Sequence, residues 1–386
     1  MQAATYWRST LALCLGSFVV FSNLYTTQPL LPQFQQAFSI SSLEANTSLA
    51  VATLALGFSL LVYGPLSDAV GRRVIIFSSL LVSLLATFSL AFAPNFSTLL
   101  VLRAVQGFSL GGLPAVALAY MAEEFSKPAL AKAVGIYIGA NSLGGISGRL
   151  VAGFTADALG WQASFLASGL LSLVCILLVL KLLPASTNFQ PKPLKIKPLI
   201  ASLTGHLVNP LLLVAFLISG FNFFIFINQY SYVTFLLAAE PWQLSSSWLG
   251  MLFLTYLAGT WSASMSGKLA LKLAQPRIMQ LGIVILMLGS GLMLIPSLWA
   301  ILAGLLVNSF GFFLAHSTAT SWVGRKAETA RASASALYLV FYYTGASTGS
   351  FYLDPFWQKW GWQGVIYASW LIFALTLALA VYLYKQ

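Results

Sequence analysis

Long runs without a charged side chain alternate along this sequence with short stretches that hold nearly all of its charge. Ala45 to Ser67, Val74 to Leu102, Ala158 to Leu180, Pro241 to Gly267 and Trp360 to Tyr384 contain no Asp, Glu, Lys or Arg. Each is near or above the roughly 20 residues that cross hydrocarbon as a helix. The run from Ile278 to Gly324 is long enough for two crossings and breaks at Ile295-Pro296-Ser297. Reading all such breaks, the pattern predicts an all-α membrane protein of twelve spans, at residues 10–32, 46–66, 74–93, 98–121, 131–153, 161–182, 209–237, 246–267, 278–295, 299–322, 332–353 and 363–384. Arg8 ahead of an apolar run has the look of a secretory leader. The run is longer than a leader's apolar core and no small-residue cleavage site follows, so it reads as an uncleaved first span.

Sliding the sequence by 201 residues sets Gly160-Trp161-Gln162 on Gly361-Trp362-Gln363, Tyr137 on Tyr338, Gly144 on Gly345 and Gly148 on Gly349. The chain therefore reads as two homologous six-helix halves, 1–182 and 209–386, joined by a linker at 183–208. Pro184, Pro191, Pro193 and Pro198 give the linker a composition that resists helix. Halves repeated along the membrane normal are what a transporter with two rocking bodies requires.

Composition agrees with the pattern. Of 386 residues, 59% are hydrophobic and 7% charged, against about a quarter charged in soluble domains. The net charge of +11 would point to nucleic acid in a soluble chain, but its placement decides otherwise. Of 19 Lys and Arg, only Lys359 falls between spans on the face opposite the linker, while Arg103 and Arg149 fall inside spans. The rest, including Lys192, Lys195 and Lys197 of the linker, gather on the linker's face. That bias puts both termini and the linker in the cytoplasm. The linker's basic run reads as a solvated segment obeying the charge rule, with contact to anionic lipid as the alternative. Cys14 and Cys175 lie within predicted spans, as buried apolar fillers.

The charged stretch Gly64-Pro65-Leu66-Ser67-Asp68-Ala69-Val70-Gly71-Arg72-Arg73 joins spans 2 and 3, and a degenerate mate, Gly267-Lys268-Leu269-Ala270-Leu271-Lys272, keeps the glycine and loses the aspartate. The pattern Gly-x-Leu-x-Asp-x-x-Gly-Arg-Arg after the second of twelve spans resembles the signature loop of the major facilitator superfamily, over the whole chain. Within it the sequence is most similar to the bacterial drug/proton antiporter and arabinose-efflux-like group. Arg103-Ala104-Val105-Gln106-Gly107 resembles that family's RxxQG motif, linked there to proton coupling. Gly139-Ala140-Asn141-Ser142-Leu143-Gly144-Gly145 matches the exporters' span 5 motif only in part. The resemblance implies that Asp68 accepts hydrogen bonds at the start of span 11. Gly64 and Gly71 are expected to permit close backbone approach, and Arg72 to reach Glu123 or Glu124, completing a latch on the cytoplasmic side.

An arginine at the bilayer centre costs about 2.5 to 3.5 kcal/mol on insertion scales, so such residues face a partner or a cavity. Arg103 and Arg149 both fall toward the outer third of the first half and are expected to share surroundings. Arg103 either tunes a proton site or, with Arg149, attracts an anionic group of a substrate; alternatively each snorkels to the interface or satisfies backbone carbonyls. His316, among Ser317, Thr318 and Thr320, is a proton carrier by its neutral pKa or a hydrogen-bonded packing residue. His206, beside the linker, reads as interfacial.

Span 1 holds no carboxylate where drug/proton antiporters commonly keep one. Asn23, Gln28, Asn141, Asn222, Asn228, Tyr256, Tyr338 and Tyr342 complete the candidate cavity, since amides and aromatic faces suit neutral polar or amphipathic molecules. No metal cluster, nucleophile with a base, or phosphate loop is evident, so no cofactor and no enzyme activity is expected. The expected partners are a small-molecule substrate, protons and lipid, with the chain acting as a monomer. The reading is an alternating-access secondary transporter of a bacterial inner membrane, exporting small organic molecules against protons. A facilitator or symporter importing a polar or anionic solute uses the same fold, and a nontransporting receptor or lipid-handling protein is the more distant alternative.

Overall fold

A computed structural model describes residues 3–191, 193–194 and 196–386 of the chain, so Lys192 and Lys195 of the basic linker lie outside the described residues. All regular structure among the described residues is helical. Span 1 runs from Ala3–Tyr25 through a 3-10 turn at Gln28–Leu30 into Leu31–Phe38. Pro29 and Pro32 cause the break, because neither has an N–H to return to the carbonyl four residues before it. Span 2 is Ser42–Val70, opened by a reciprocal cap between Ser41 and Glu44. Spans 3 to 6 are Arg72–Leu90, Phe96–Glu124 with a joint at Gly111, Lys127–Leu159 and Trp161–Leu182.

Span 7 is Pro210–Ala238, capped by the Asn209 side chain. Span 8 is broken, Ser246–Met251 and Tyr256–Leu269 being joined by a 3-10 turn at Leu252–Thr255. There the Thr255 hydroxyl donates to the Leu252 carbonyl at 2.6 Å, a local bond that competes with the helix ladder. Spans 9 and 10 are Gln275–Leu292 and Leu298–Lys326. Spans 11 and 12 share Arg331–Lys385 and part at Gly361.

The linker departs from expectation. A helix forms over Ile196–Leu207, because Pro198 falls in its first turn, where a missing N–H costs nothing, and no proline follows until Pro210. His206, expected to be interfacial, is only 7% exposed, and its Nε2 donates to the Ala330 carbonyl at 3.2 Å.

The chain forms two compact units. One runs to Leu194 and also takes in Leu244–Met251, and Leu252–Gln386 makes up most of the other. Each unit shows the repeat in its backbone. Gly160 and Gly361, 201 residues apart, turn one span into the next at φ +85° and +57°, a region that disfavours any residue with a Cβ. Inside the first unit Gly144 and Gly148 seat span 5 against the backbone of span 1 at Phe18 and Ser22, while inside the second Gly345 and Gly349 seat span 11 against span 7 at Gly220 and Phe224. Without a hydrophobic force between helices in lipid, such close approach supplies the packing.

A Cβ at Gly148 or Gly349 would overlap the facing backbone, whereas one at Gly139 would meet nothing within 4 Å. Gly148→Val and Gly349→Val are expected to destabilise the protein by about 1 to 3 kcal/mol or more, read as a lowered melting midpoint in detergent, and Gly139→Ala to leave it unchanged.

Candidate functional site

The break in span 1 organises the first unit's polar interior. Arg103 on span 4 is fully buried. Its Nε donates to the Ser48 carbonyl at 2.9 Å, and its Nη atoms donate to Asn23 O at 3.1 Å and Leu24 O at 2.7 Å. A further Nη1 bond reaches Gln106 Oε1. Gln106 Nε2 donates to Thr87 Oγ1 at 2.7 Å, and Thr87 lies 3.0 Å from Asn23 Oδ1. Asn23 Nδ2 donates to Val19 O at 2.9 Å and Ser172 Oγ at 2.7 Å. Spans 1, 2, 3, 4 and 6 thus meet on one buried cluster. Of the two readings of Arg103, this geometry matches the binding of backbone carbonyls. The amide of Asn23 is engaged within the cluster rather than facing open space.

Arg149, also fully buried, takes the far side of the break. Its Nε and Nη2 both donate to Gln28 Oε1 at 2.8 and 2.5 Å, its Nη1 donates to Gly145 O at 2.9 Å, and its guanidinium lies 4.1 Å from the Tyr25 ring centroid. Arg103 and Arg149 each grip a different part of the break. Asn141, on the same span as Arg149, is bonded by the Ser17 hydroxyl.

At the span 2–3 turn, Arg72 is 6% exposed. Its Nη2 lies 2.5 Å from Asp68 Oδ1 and 2.7 Å from Glu123 Oε1, and its Nη1 donates to Ser67 Oγ at 2.6 Å. Asp68 remains 40% exposed. Three details differ from expectation. Gly64 makes no close approach, since a Cβ there would meet nothing within 4 Å. Gly71 is required by its φ of +108° rather than by packing. Glu124 does not pair with Arg72, because its carboxylate is filled by the start of the linker. Ser186 Oγ, Thr187 N and Oγ1, and Asn188 N donate to it at 2.6 to 2.9 Å.

The second unit has its own buried cluster, without charge. Gln229 on span 7, Ser290 on span 9 and Asn308 on span 10 bond one another at 3.0 to 3.3 Å. The same unit also holds an aromatic wall. Phe223 stacks on Tyr342 at 3.7 Å and Phe226 on Phe312 at 3.9 Å, while Tyr256 sits edge-on to Tyr230 at 4.9 Å. His316 stacks on Phe312 at 5.7 Å and lies 4.7 Å from Tyr342. Its Nδ1 is 2.9 Å from the Tyr338 hydroxyl, which also lies 3.2 Å from the His316 carbonyl. Asn228 Nδ2 donates to Phe224 O and Ala346 O, at 2.9 and 3.0 Å. Asn222 is 4% exposed, and its Oδ1 has no hydrogen-bond partner among the described residues.

Sequence reasoning did not single out Thr87, Ser172, Ser290 or Asn308. Their signal was present, since an uncompensated polar group in hydrocarbon is costly and implies a partner, but nothing in the spacing identifies that partner.

Among the described residues these features define an integral membrane protein of twelve helical spans in two six-helix halves. The family model of the Major Facilitator Superfamily matches residues 13–350, and the chain belongs to that family of secondary transporters. It is similar to the MFS-type transporter YybF of Bacillus subtilis, 36% identical with 98% of this chain and 93% of that protein covered. It is equally 36% identical to the inner membrane transport protein YnfM of Escherichia coli, over 97% of this chain and 90% of that one. Its fold matches the crystal structure of a bacterial homolog of the human lysosomal transporter Spinster, with TM-score 0.78 at 14% identity, covering 100% of this chain and 98% of the other.

Two outcomes are expected from the first unit's polar contacts. Arg103→Lys, which keeps the charge and loses the fork that reaches three carbonyls, should lower stability by about 1 to 3 kcal/mol, measured by thermal unfolding. Glu124→Ala should free the linker's start, seen as faster limited proteolysis between residues 184 and 191, with Glu123→Ala leaving that rate unchanged.

Proposed function

We propose that the chain is an alternating-access exporter of small organic molecules, drugs or sugars, exchanged against protons across a bacterial inner membrane. Both termini and the linker lie in the cytoplasm, and the protein acts as a monomer in contact with lipid. The similarity to an inner membrane transport protein and the bias of basic residues to one face support this placement.

The observation that carries the reading is the pair His316–Tyr338. When the ring is neutral with a bare Nδ1, the Tyr338 hydroxyl donates to it across 2.9 Å. A proton taken up at Nδ1 turns that nitrogen into a donor, and the hydroxyl then turns to the His316 carbonyl at 3.2 Å. Charge on span 10 is thereby coupled to span 11 through a single hydroxyl. The aromatic wall beside it suits the apolar body of an amphipathic molecule, and Asn222 Oδ1 supplies a polar contact. Asp68, Arg72 and Glu123 form the inner latch of this reading, with Gly71 shaping its turn. One exchanged proton contributes about 2.3 kcal/mol per 100 mV and about 1.4 kcal/mol per pH unit, enough for a gradient of a few hundred-fold.

A second reading has one observation in its favour. The buried Arg149 guanidinium, held by Gln28 and Tyr25, suits an anionic solute, and a symporter or facilitator would then import it.

Reconstituted protein, with luminal pH followed as sugars, drugs and organic anions are added, separates these readings. Extrusion with inward proton movement, lost in His316→Ala, is the expected result. Uptake abolished by Arg149→Ala with pH unchanged would replace it with the importer. Asp68→Asn is expected to lower transport at least tenfold with insertion and abundance intact, and near-normal flux would remove the latch.

A further inference from the structure

An alternating-access cycle needs a closure on each face, and the Asp68 stretch offers one for the cytoplasmic face alone. We propose that Asp157 is the latch residue of the opposite face, fastening the start of span 8 onto the end of span 5 in a hold that the transport cycle breaks and remakes. This rests on the transporter reading above.

Asp157 stands two residues before the end of span 5 at Leu159. Its Oδ2 accepts from Ser245 Oγ at 2.6 Å and from Ser247 N at 3.4 Å, and its Oδ1 accepts from Ser246 N at 3.1 Å. The Ser246 and Ser247 amides are the first backbone donors of span 8, which no earlier turn of helix can satisfy. Gln33 adds a second tie from span 1, donating to Ser246 Oγ at 3.0 Å and to Ala156 O at 3.4 Å. Beneath the carboxylate the backbones meet at two glycines. A Cβ at Gly153 would overlap Ser246 O, and one at Gly250 would come within 2.7 Å of Arg149 O. The seat is therefore shaped for this segment.

Two features make the hold reversible. Leu244–Met251 packs with the first unit, whereas span 8 from Leu252 onward packs with the second. The piece between them is the 3-10 turn Leu252–Thr255, a joint of poorer hydrogen-bond geometry that often marks a hinge. Asp157 itself is exposed, so water is at hand to replace each lost donor.

The test reads the seat directly and needs no substrate, so its failure is distinguishable from failure of the transport reading. Ser246, 6% exposed in its seat, is changed to cysteine (Ser246→Cys), and the native Cys14 and Cys175, 8% and 6% exposed, are replaced by alanine. Labelling by a membrane-impermeant maleimide is followed in detergent-purified protein. Asp157→Ala is expected to raise the labelling rate about 3- to 10-fold, equivalent to roughly 0.6 to 1.4 kcal/mol, with an unchanged melting midpoint, and Asp157→Glu to return it toward the parent rate. Ser245→Ala, which removes one donor, should give a smaller rise. Labelling at the parent rate in Asp157→Ala, or a rise seen only together with a lowered midpoint, would overturn the latch and leave Asp157 a cap.

Discussion

A helix that breaks inside hydrocarbon releases carbonyls that water cannot reach, and the interior of the first half is built around meeting that demand. Pro29 and Pro32 fix the break in span 1. Arg103 answers it with Nη bonds to the Asn23 and Leu24 carbonyls, while its Nε holds Ser48 O of span 2. A lysine could supply the charge but not three directions in one plane. The cost of placing a guanidinium in the membrane is offset by bonds that the break itself makes available. Irregular backbone is tolerated at this depth only where such partners exist.

The same demand explains why the two halves are alike in packing and unlike in chemistry. Glycines 201 residues apart seat span 5 on span 1 and span 11 on span 7, and glycines at the same spacing turn spans 5 and 11 into spans 6 and 12. Backbone contact is the part of the repeat that cannot change without separating the helices. The clusters that fill the halves differ: an arginine, a glutamine, a threonine and an asparagine on one side, and Gln229, Ser290 and Asn308 on the other. Span 7 has no proline between Pro210 and Ala238 and runs unbroken. Its carbonyls are used within the helix, and an uncharged triad is sufficient.

The spans, their number and the two-fold repeat were legible in the sequence because hydrophobic length and glycine placement are local properties. Arg72 with Glu123 was legible because charge is scarce, so few partners compete. The linker helix was missed by weighing prolines by number rather than by position, since Pro198 lies in a first turn. Glu124 was misplaced because its partners, Ser186, Thr187 and Asn188, are uncharged and carry no pairing signal. For the same reason the partners of Asn23 and Gln106 could not be named. An amide states that it needs hydrogen bonds without stating from where.

The distribution of these interactions by depth bears on how such a protein moves. The bonds within each half's cluster lie where water is absent, and removing one partner leaves the other with the full desolvation penalty, about 1 to 3 kcal/mol per group. Clusters of that kind keep each half rigid. Asp68 and Glu123, at span ends, are in a different regime: they are 40% and 27% exposed, so water can take the place of a lost partner. A contact that must break thousands of times without unfolding its surroundings has to belong to the second group. Strong bonds inside the halves and weak, hydrated ones at span ends give a molecule whose thermal motion passes through its boundaries and leaves its cores intact.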